Sequence, residues 1–429
     1  MGSLLRRYWL PALPATDVTA DGPPRRVRLL GHRLVAFRDS RSRVGIMEEH
    51  CPHRGASLAL GRNEDCGLRC LYHGWKLDVE GRVLDTPAEQ SETWKHRIRH
   101  LAYPVAEHGG LIWTYLGPPD AVPPMPRFEW FGLPAAHVYI APVREECNWV
   151  QALEGVLDPA HASYLHADTF GPPEGLPTPG RREDRAVPTS GDLGRTTRDG
   201  RPRLEVVNTS YGFKCAALRR PVTSADRLRH IRISHFVAPF YGVFPAGAGW
   251  GNLQAFVPMD DTHTMQYFVA YRLDAPITTR EKEDLVIEAG ARLGVDIDQG
   301  YRKLRTPENN WLQDRDAMAS GASFSGIEGI GNEDMVVQES MGPLFDRSKE
   351  HIGPTDLAVI RMRRVMLDAA RRLERGDEEL VGVGEAAAAE LQRVRGLDTL
   401  IELDRPWEEL RPEVLAGEAT GAQGSLSTA

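Results

Sequence analysis

The chain has 429 residues, too many for one ordinary domain and enough for two or three. Apolar residues make up 41% and charged residues 26%, the balance of a globular protein with a core, and no apolar run approaches the roughly 18 residues of a membrane span. Lys+Arg 52 against Asp+Glu 60 leaves a net charge of −8, which disfavours a nucleic-acid-coating role, and five cysteines are too few for a disulfide scaffold and point to metals or catalysis. The chain opens Met1-Gly-Ser-Leu-Leu-Arg-Arg without a long apolar stretch or a small-residue cleavage site, so a cytoplasmic protein is expected.

From about residue 25 to 118 the pattern is short strands and turns. Val27 to Leu30 and Arg33 to Phe37 are apolar or alternating, Gly31, Asp39 and Gly81 punctuate them, and Leu111 to Leu116 closes the series. Prolines 118, 119, 123, 124 and 126 then mark a linker, set at 119–134. A helical region is expected from Glu145 to His166, interrupted at Pro159. Residues 171–203 are rich in Pro, Gly and charge, which predicts a mobile surface loop. Strand patterns return at Leu204–Val207, Tyr211–Cys215, Arg229–Val237 and Met265–Tyr271, which predicts a largely antiparallel sheet. Near the end Thr355 is the expected N-cap of a helix whose Val359, Met362, Met366, Ala369 and Leu373 share a face, and residues 412–429 read as a flexible tail.

Within the first region stands Cys51-Pro-His53-Arg-Gly, then Cys70-Leu-Tyr-His73-Gly-Trp. Two thiolates and two imidazoles on two turns can hold a Rieske-type 2Fe–2S cluster, with the cysteines on one iron and the histidines on the other. Neutral imidazoles leave less negative charge on such a cluster, so it accepts an electron more readily. A zinc site usually opens C-x₂₋₄-C or closes H-x₃₋₅-H, and this pattern does neither. Cys66, Cys147 and Cys215 lie outside the pattern and are expected to be free thiols or filler.

A second candidate site follows, Asp158-Pro-Ala-His161-Ala-Ser-Tyr-Leu-His166. Two histidines and a carboxylate can form a facial triad on mononuclear Fe(II). Five residues apart, the histidines point about 140° from each other on an ideal helix, so a distortion is needed, and Pro159 offers one. Alone the signal is weak, because 14 histidines in 429 residues give about half an H-x₄-H pair by chance. Asp158-Pro159 also reads simply as an N-cap and first helical turn.

Together the two motifs resemble the Rieske non-haem iron oxygenases, and within them the oxygenase component of the phthalate dioxygenase-like group. Phrases similar to that group recur at Asn148-Trp-x-Gln151, at Phe324-Ser-Gly-Ile-Glu-Gly-Ile-Gly-Asn-Glu-Asp334 and at Val337-Gln-Glu-Ser-Met-Gly-Pro, so the likeness spans roughly residues 5 to 375. The resemblance implies an α+β chain: an N-terminal all-β Rieske domain over 1–118, and a catalytic domain over 135–411 with an antiparallel sheet covered by helices. It implies that His161, His166 and Asp334 bind the mononuclear iron, with Asp314 and Asp316 as competitors for the third place. It implies that Asp158 is the carboxylate that joins an iron-ligand histidine to a cluster histidine of a neighbouring subunit in a homotrimer, and leaves stacking into a hexamer open.

Relatives that act on aromatic dicarboxylates use basic residues along the pocket sheet. Lys214, Arg219 and Arg232 lie on predicted strands here, and Arg232, between Ile231 and Ile233, is the best candidate for a substrate carboxylate. Phe213, Phe236, Phe240 and Tyr241 could shape the pocket, although core packing is their commoner use. The chain lacks a nicotinamide-binding fingerprint, so electrons are expected from a separate NAD(P)H-dependent flavin or iron–sulfur reductase, or from a ferredoxin, with O₂ and a small aromatic molecule as substrates. No nucleic-acid or membrane partner is expected. The competing readings are a cluster-bearing electron carrier or redox sensor, and a zinc-stabilised binding module.

Overall fold

The computed structural model describes residues 1–91, 93–174, 197–247, 249–377 and 379–410, the Trp94 side chain excepted. Most of the expected loop 171–203 and the expected tail 412–429 lie outside the described residues. The chain divides into two compact units, Met1–Pro126 with Val257–Thr264, and Arg127–Phe256 with Met265–Ala429. The first unit extends past residue 118 because its own side chains hold the proline-rich segment: Trp9 Nε1 donates to Pro123 O and Tyr115 OH to Ala121 O, each at 2.9 Å.

The first unit is built of short strands in three small sheets. They are β1 (Trp9–Pro14), β2 (Arg25–Leu29), β3 (His32–Arg38), β4 (Val44–Glu48), β5 (Arg62–Glu64), β6 (Gly67–Arg69), β7 (Lys76–Leu77), β8 (Val83–Asp85), β9 (Ala102–Tyr103), β10 (Val105–His108) and β11 (Leu111–Tyr115). The sheets run β1-β11-β10, β2-β3-β4-β9 and β5-β6-β7-β8. Leu30 and Gly31 join β2 to β3 at φ +49° and +83°, the two positive angles that a tight hairpin turn requires. Val35, Phe37, Met47, Leu58, Leu68 and Trp75 pack into a core that also takes in Cys51 and Cys70.

The second unit centres on an eight-stranded sheet of β12 (Val138–Glu145), β13 (Arg203–Thr209), β14 (Gly212–Arg219), β15 (Leu228–Val237), β16 (Tyr241–Phe244), β17 (Trp250–Pro258), β18 (Thr264–Arg272) and β19 (Leu397–Glu402). Its order is β12-β18-β17-β16-β15-β14-β13. The short β16 pairs only with the end of β15, which leaves the rest of that edge to β19, in register Arg232 opposite Asp398. The strands predicted from residue 204 onward all form, three with slightly wider bounds and the one expected at Tyr211–Cys215 shifted to Gly212–Arg219.

The helices differ from expectation in instructive ways. β12 runs to Glu145, and the helix starts only at Trp149, where the Asn148 side chain accepts the Val150 N–H at 3.0 Å. It stops at Leu157, so Asp158 is a C-cap and not an N-cap. Thr355 does not cap the late helix Leu357–Glu374. A 3₁₀ turn Pro354–Asp356 leads into it, and the Asp356 carboxylate accepts the Gly353 N–H at 2.7 Å. Val359, Met362, Met366 and Ala369 are buried along the predicted face, while Leu373 is only half-buried. In the helix Thr279–Glu288 a reciprocal capping box joins Thr278 and Glu281.

Candidate active site

Two turns of the first unit are built alike. Cys51 N–H donates to Ala56 O at 2.8 Å and Gly55 N–H to Cys51 O at 2.9 Å; Cys70 N–H donates to Trp75 O at 2.8 Å and Gly74 N–H to Cys70 O at 3.1 Å. Both glycines sit at φ +75°, where a side chain would be strained. The turns bury both cysteines and leave both histidines partly exposed. The His53 and His73 rings lie 4.5 Å apart, and His53 stacks on the buried Trp75 at 4.8 Å. Burial pushes the Cys51 thiol up to about 11. A thiol so reluctant to ionise becomes a thiolate when a metal supplies the balancing charge. Two buried sulfurs and two adjacent imidazoles on matching turns fit a Rieske cluster. Cys66 stands apart at φ +60°, and Cys147 and Cys215 are buried and in no disulfide.

In the second unit His161 opens a 3₁₀ turn, and His166 precedes the short helix Ala167–Phe170. The histidines therefore do not share one regular helix, and the 140° separation does not arise. Their Nε2 atoms lie 3.1 Å apart, and Asp334 Oδ1, from the helix Ile330–Ser340, lies 3.4 Å from His161 Nε2 and 3.1 Å from His166 Nε2. Three adjacent ligands about 2.1 Å from one ion stand about 3 Å from each other, so the spacing fits one face of an octahedral metal. The same three side chains are a group able to hold a metal ion among the described residues. Asp314 instead caps a helix, accepting the Ala317 N–H at 2.8 Å, and Asp316 is exposed in its first turn.

Electrostatics reinforce the grouping. Burial opposes charge on the imidazoles, but neighbouring carboxylates outweigh it and push His161 up to about 9 and His166 up to about 10. Burial likewise works against Asp334, yet the two imidazoles hold it well below the usual carboxylate range. A dication placed between the three would substitute for those protons. Each Nδ1 faces another carboxylate. His161 Nδ1 stands 3.7 Å from Asp158 Oδ2, too far for a hydrogen bond, while His166 Nδ1 stands 2.7 Å from Glu333 Oε2. The other Asp158 oxygen accepts the Ala160 N–H at 2.7 Å.

The triad forms part of the wall of a cavity of about 950 Å³, its mouth included. Val156, Phe170, Phe244, Trp250 and Phe268 supply apolar wall, and Arg232, Ser234, Asn252, Gln254 and Glu288 supply polar groups. Arg232 Nη1 donates to Asp398 Oδ2 at 3.1 Å, and its guanidinium lies 5.3 Å over the Phe170 ring. The second Asp398 oxygen faces His230 Nε2 at 2.6 Å. Lys214 and Arg219 are not brought to this cavity. Lys214 donates to Glu408 O beside another hollow, and Arg219 Nη2 donates to Pro159 O at 2.6 Å, bracing the turn between Asp158 and His161. Phe213, Phe236, Phe240 and Tyr241 are buried core residues, and the cavity aromatics are others.

Sequence reasoning missed Glu333, Asp398, Ser234, Asn252, Gln254 and the cavity aromatics. Ser234 follows Arg232 by two on one strand, so strand alternation alone carries a signal for it. Asp398 and Glu333 had none, because only tertiary pairing brings them in.

A family model described as LigXa C-terminal domain like matches residues 114–425, and one described as Rieske 2Fe-2S domain matches residues 8–106. The chain is 42% identical over 411 residues to the phthalate 4,5-dioxygenase oxygenase subunit of Pseudomonas putida, covering 95% of this chain and 90% of that one. It is 37% identical to the 3-chlorobenzoate-3,4-dioxygenase oxygenase subunit of Comamonas testosteroni, covering 90% and 88%. Among solved structures, dicamba monooxygenase bound to 3,6-dichlorosalicylic acid superposes with a TM-score of 0.58 at 17% identity, covering 86% of this chain and 98% of that one. Pseudomonas putida CBB5 NdmA with caffeine superposes with a TM-score of 0.59 at 18% identity, covering 94% and 98%.

Proposed function

The chain belongs to the Rieske non-haem iron oxygenases, as an oxygenase subunit of the phthalate dioxygenase-like group, and from that premise we propose that it hydroxylates a small aromatic carboxylate. The observation that carries this reading is the cavity itself: a triad fit for iron in its wall, aromatic side chains around it, and Arg232 in the same wall. When bound, the cluster supplies electrons one at a time and the iron supplies the oxygen chemistry.

The protein's own residues do the rest. Cys51, His53, Cys70 and His73 hold the cluster, and His161, His166 and Asp334 hold the iron. Arg232 offers a charged donor to a carboxylate while Phe170 packs against its guanidinium. Trp250, Phe244 and Phe268 enclose the ring and keep water from it. Asp158, 27% exposed at its side chain and 3.7 Å from His161 Nδ1, would link that imidazole to His73 of the partner subunit once the gap to His161 closes to hydrogen-bond distance. That role makes a closed ring of three the working form, with cluster and iron meeting across each interface. As an oxygenase subunit the chain depends on a separate reductase for electrons. No described helix is long and apolar enough to cross a membrane. A cytoplasmic catabolic enzyme fits these features, whereas an electron carrier would have no use for the triad.

The test is a single turnover of anaerobically reduced protein with a panel of aromatic carboxylates and methyl ethers, followed by O₂ and mass spectrometry. Two oxygens retained from O₂ identify a dioxygenase; one retained oxygen or a lost methyl identifies a monooxygenase or demethylase. Protein that carries about two iron atoms per chain instead of about three, and makes no product, defeats the proposal.

A further inference from the structure

The phrase Phe324-Ser-Gly-Ile-Glu-Gly-Ile-Gly-Asn-Glu-Asp334 delivers more than one carboxylate to the triad. Ser325 and Glu333 are 7% and 3% exposed. Ser325 Oγ–H donates to Glu333 Oε1 at 2.5 Å, and Glu333 Oε2 faces His166 Nδ1 at 2.7 Å. The Ser325 hydroxyl oxygen also accepts the Ile327 N–H at 3.1 Å, so the relay is fixed at its outer end. Glycines make the path possible. Gly326 and Gly329 sit at φ +68° and +90°, and a Cβ would stand 2.4 Å from Asp314 O at the first and 2.3 Å from Ile287 O at the second.

The two histidines are therefore held differently. The carboxylate facing His161 is 3.7 Å away on a side chain 27% exposed; the one facing His166 is at hydrogen-bond distance on a side chain 4% exposed. We infer that Glu333, held by Ser325, is the positioning residue of the iron site: it accepts the Nδ1 proton of His166 and so keeps Nε2 and its lone pair turned toward the metal. The inference rests on the iron reading above. Adjacent Asp334 and Glu333 then divide the work, one as ligand and the other as the partner that orients a ligand.

The experiment compares wild type, Glu333→Gln and Ser325→Ala, each stripped of mononuclear iron by a chelator and titrated anaerobically with Fe(II). Cluster absorbance serves as the control for folding. Wild type is expected to take up one Fe(II) per chain beyond the cluster. Glu333→Gln should bind it about 10–100-fold more weakly, and its Fe(II)–nitric oxide spectrum should broaden as the ring loses its fixed orientation. Ser325→Ala should weaken binding less, by several-fold, on the order of one neutral hydrogen bond. Wild-type affinity and spectrum in Glu333→Gln overturn the inference. Should that variant lose its cluster, unchanged affinity in Ser325→Ala overturns it instead. A wild type that takes up no further iron defeats the underlying iron reading, a different and separately visible outcome.

Discussion

The two histidine pairs of this chain are set in contrasting surroundings. His53 and His73 stand on matching turns among aromatic rings, with Glu89 3.9 Å from His53. His161 and His166 stand among the carboxylates of Asp158, Glu333 and Asp334. A cluster that must accept an electron is reduced more readily where few anions surround it, and here one carboxylate, Glu89, stands near the pair against three around His161 and His166. A divalent ion that must stay in place while its free positions change partners is better served by anionic neighbours that orient its ligands. On the proposed reading, the same residue type is adapted to opposite tasks by the charge placed around it.

The sharpest way to break the contrast is to remove one histidine from each pair. His73→Ala should lose the cluster, and His166→Ala should keep the cluster but lose the mononuclear iron and bring product to background; iron and acid-labile sulfide analysis beside single turnover reads both. Asp158→Asn comes next. It should retain both metals yet lower coupled turnover by about 10–100-fold, seen as product formed per electron consumed. Normal coupling in this variant would defeat the bridging role. Arg232→Ala should raise KM for an aromatic carboxylate about 10–100-fold with a smaller change in kcat, since a charge-assisted hydrogen bond contributes about 1.5–3 kcal/mol. Arg232→Lys should recover part of that loss, because it restores charge without the planar fork.

The smallest effects are in pH dependence, and they have opposite signs in the two units. Burial works against the Glu49 charge, but Ser57, Arg26 and Arg33 hold it down at about 2. Its contribution is full above its unfolded value near 4.5 and is lost as pH falls toward 2, so the stability gap between wild type and Glu49→Gln should close in that window. Burial pushes Glu145 up to about 8, which makes folding less favourable as pH rises from about 4.5 through 8. Glu145→Gln should flatten that decline between about pH 4.5 and 8, measured by chemical denaturation with cluster absorbance and tryptophan emission followed separately.

How legible each region was in sequence follows from how local its contacts are. The two turns of the candidate cluster site are set by hydrogen bonds four and five residues apart, so C-x-H and C-x-x-H make nearly all of that candidate site legible. The iron site was half legible. His161 and His166 share one short segment, and the helix ends at Leu157, two residues ahead of the interruption expected at Pro159, while Asp334 was reached through resemblance. Glu333 and Asp398 meet their partners across 167 and 168 residues, where no spacing rule operates. Strand parity separates Lys214 from Arg232, while Arg219, paired with His230, shares the Arg232 face and is set apart only by its bond to Pro159 O. Arg232 and Ser234 face the triad's cavity, while Ile233 and His235, with Lys214 opposite His235, face the other hollow.

The pairing of β19 with β15 has a consequence for the order in which the chain is made. Arg232 leaves the ribosome 166 residues ahead of Asp398. At about 5–20 residues per second, the growing chain spends roughly ten to thirty seconds with one edge of β15 unpaired and the guanidinium without that carboxylate. The segment that finishes the wall beside Arg232 is made long after the strand it covers. A chain stopped before residue 397 would expose a sticky strand edge and a charge facing an unfinished interior, so nascent protein of that length is where chaperone demand should peak.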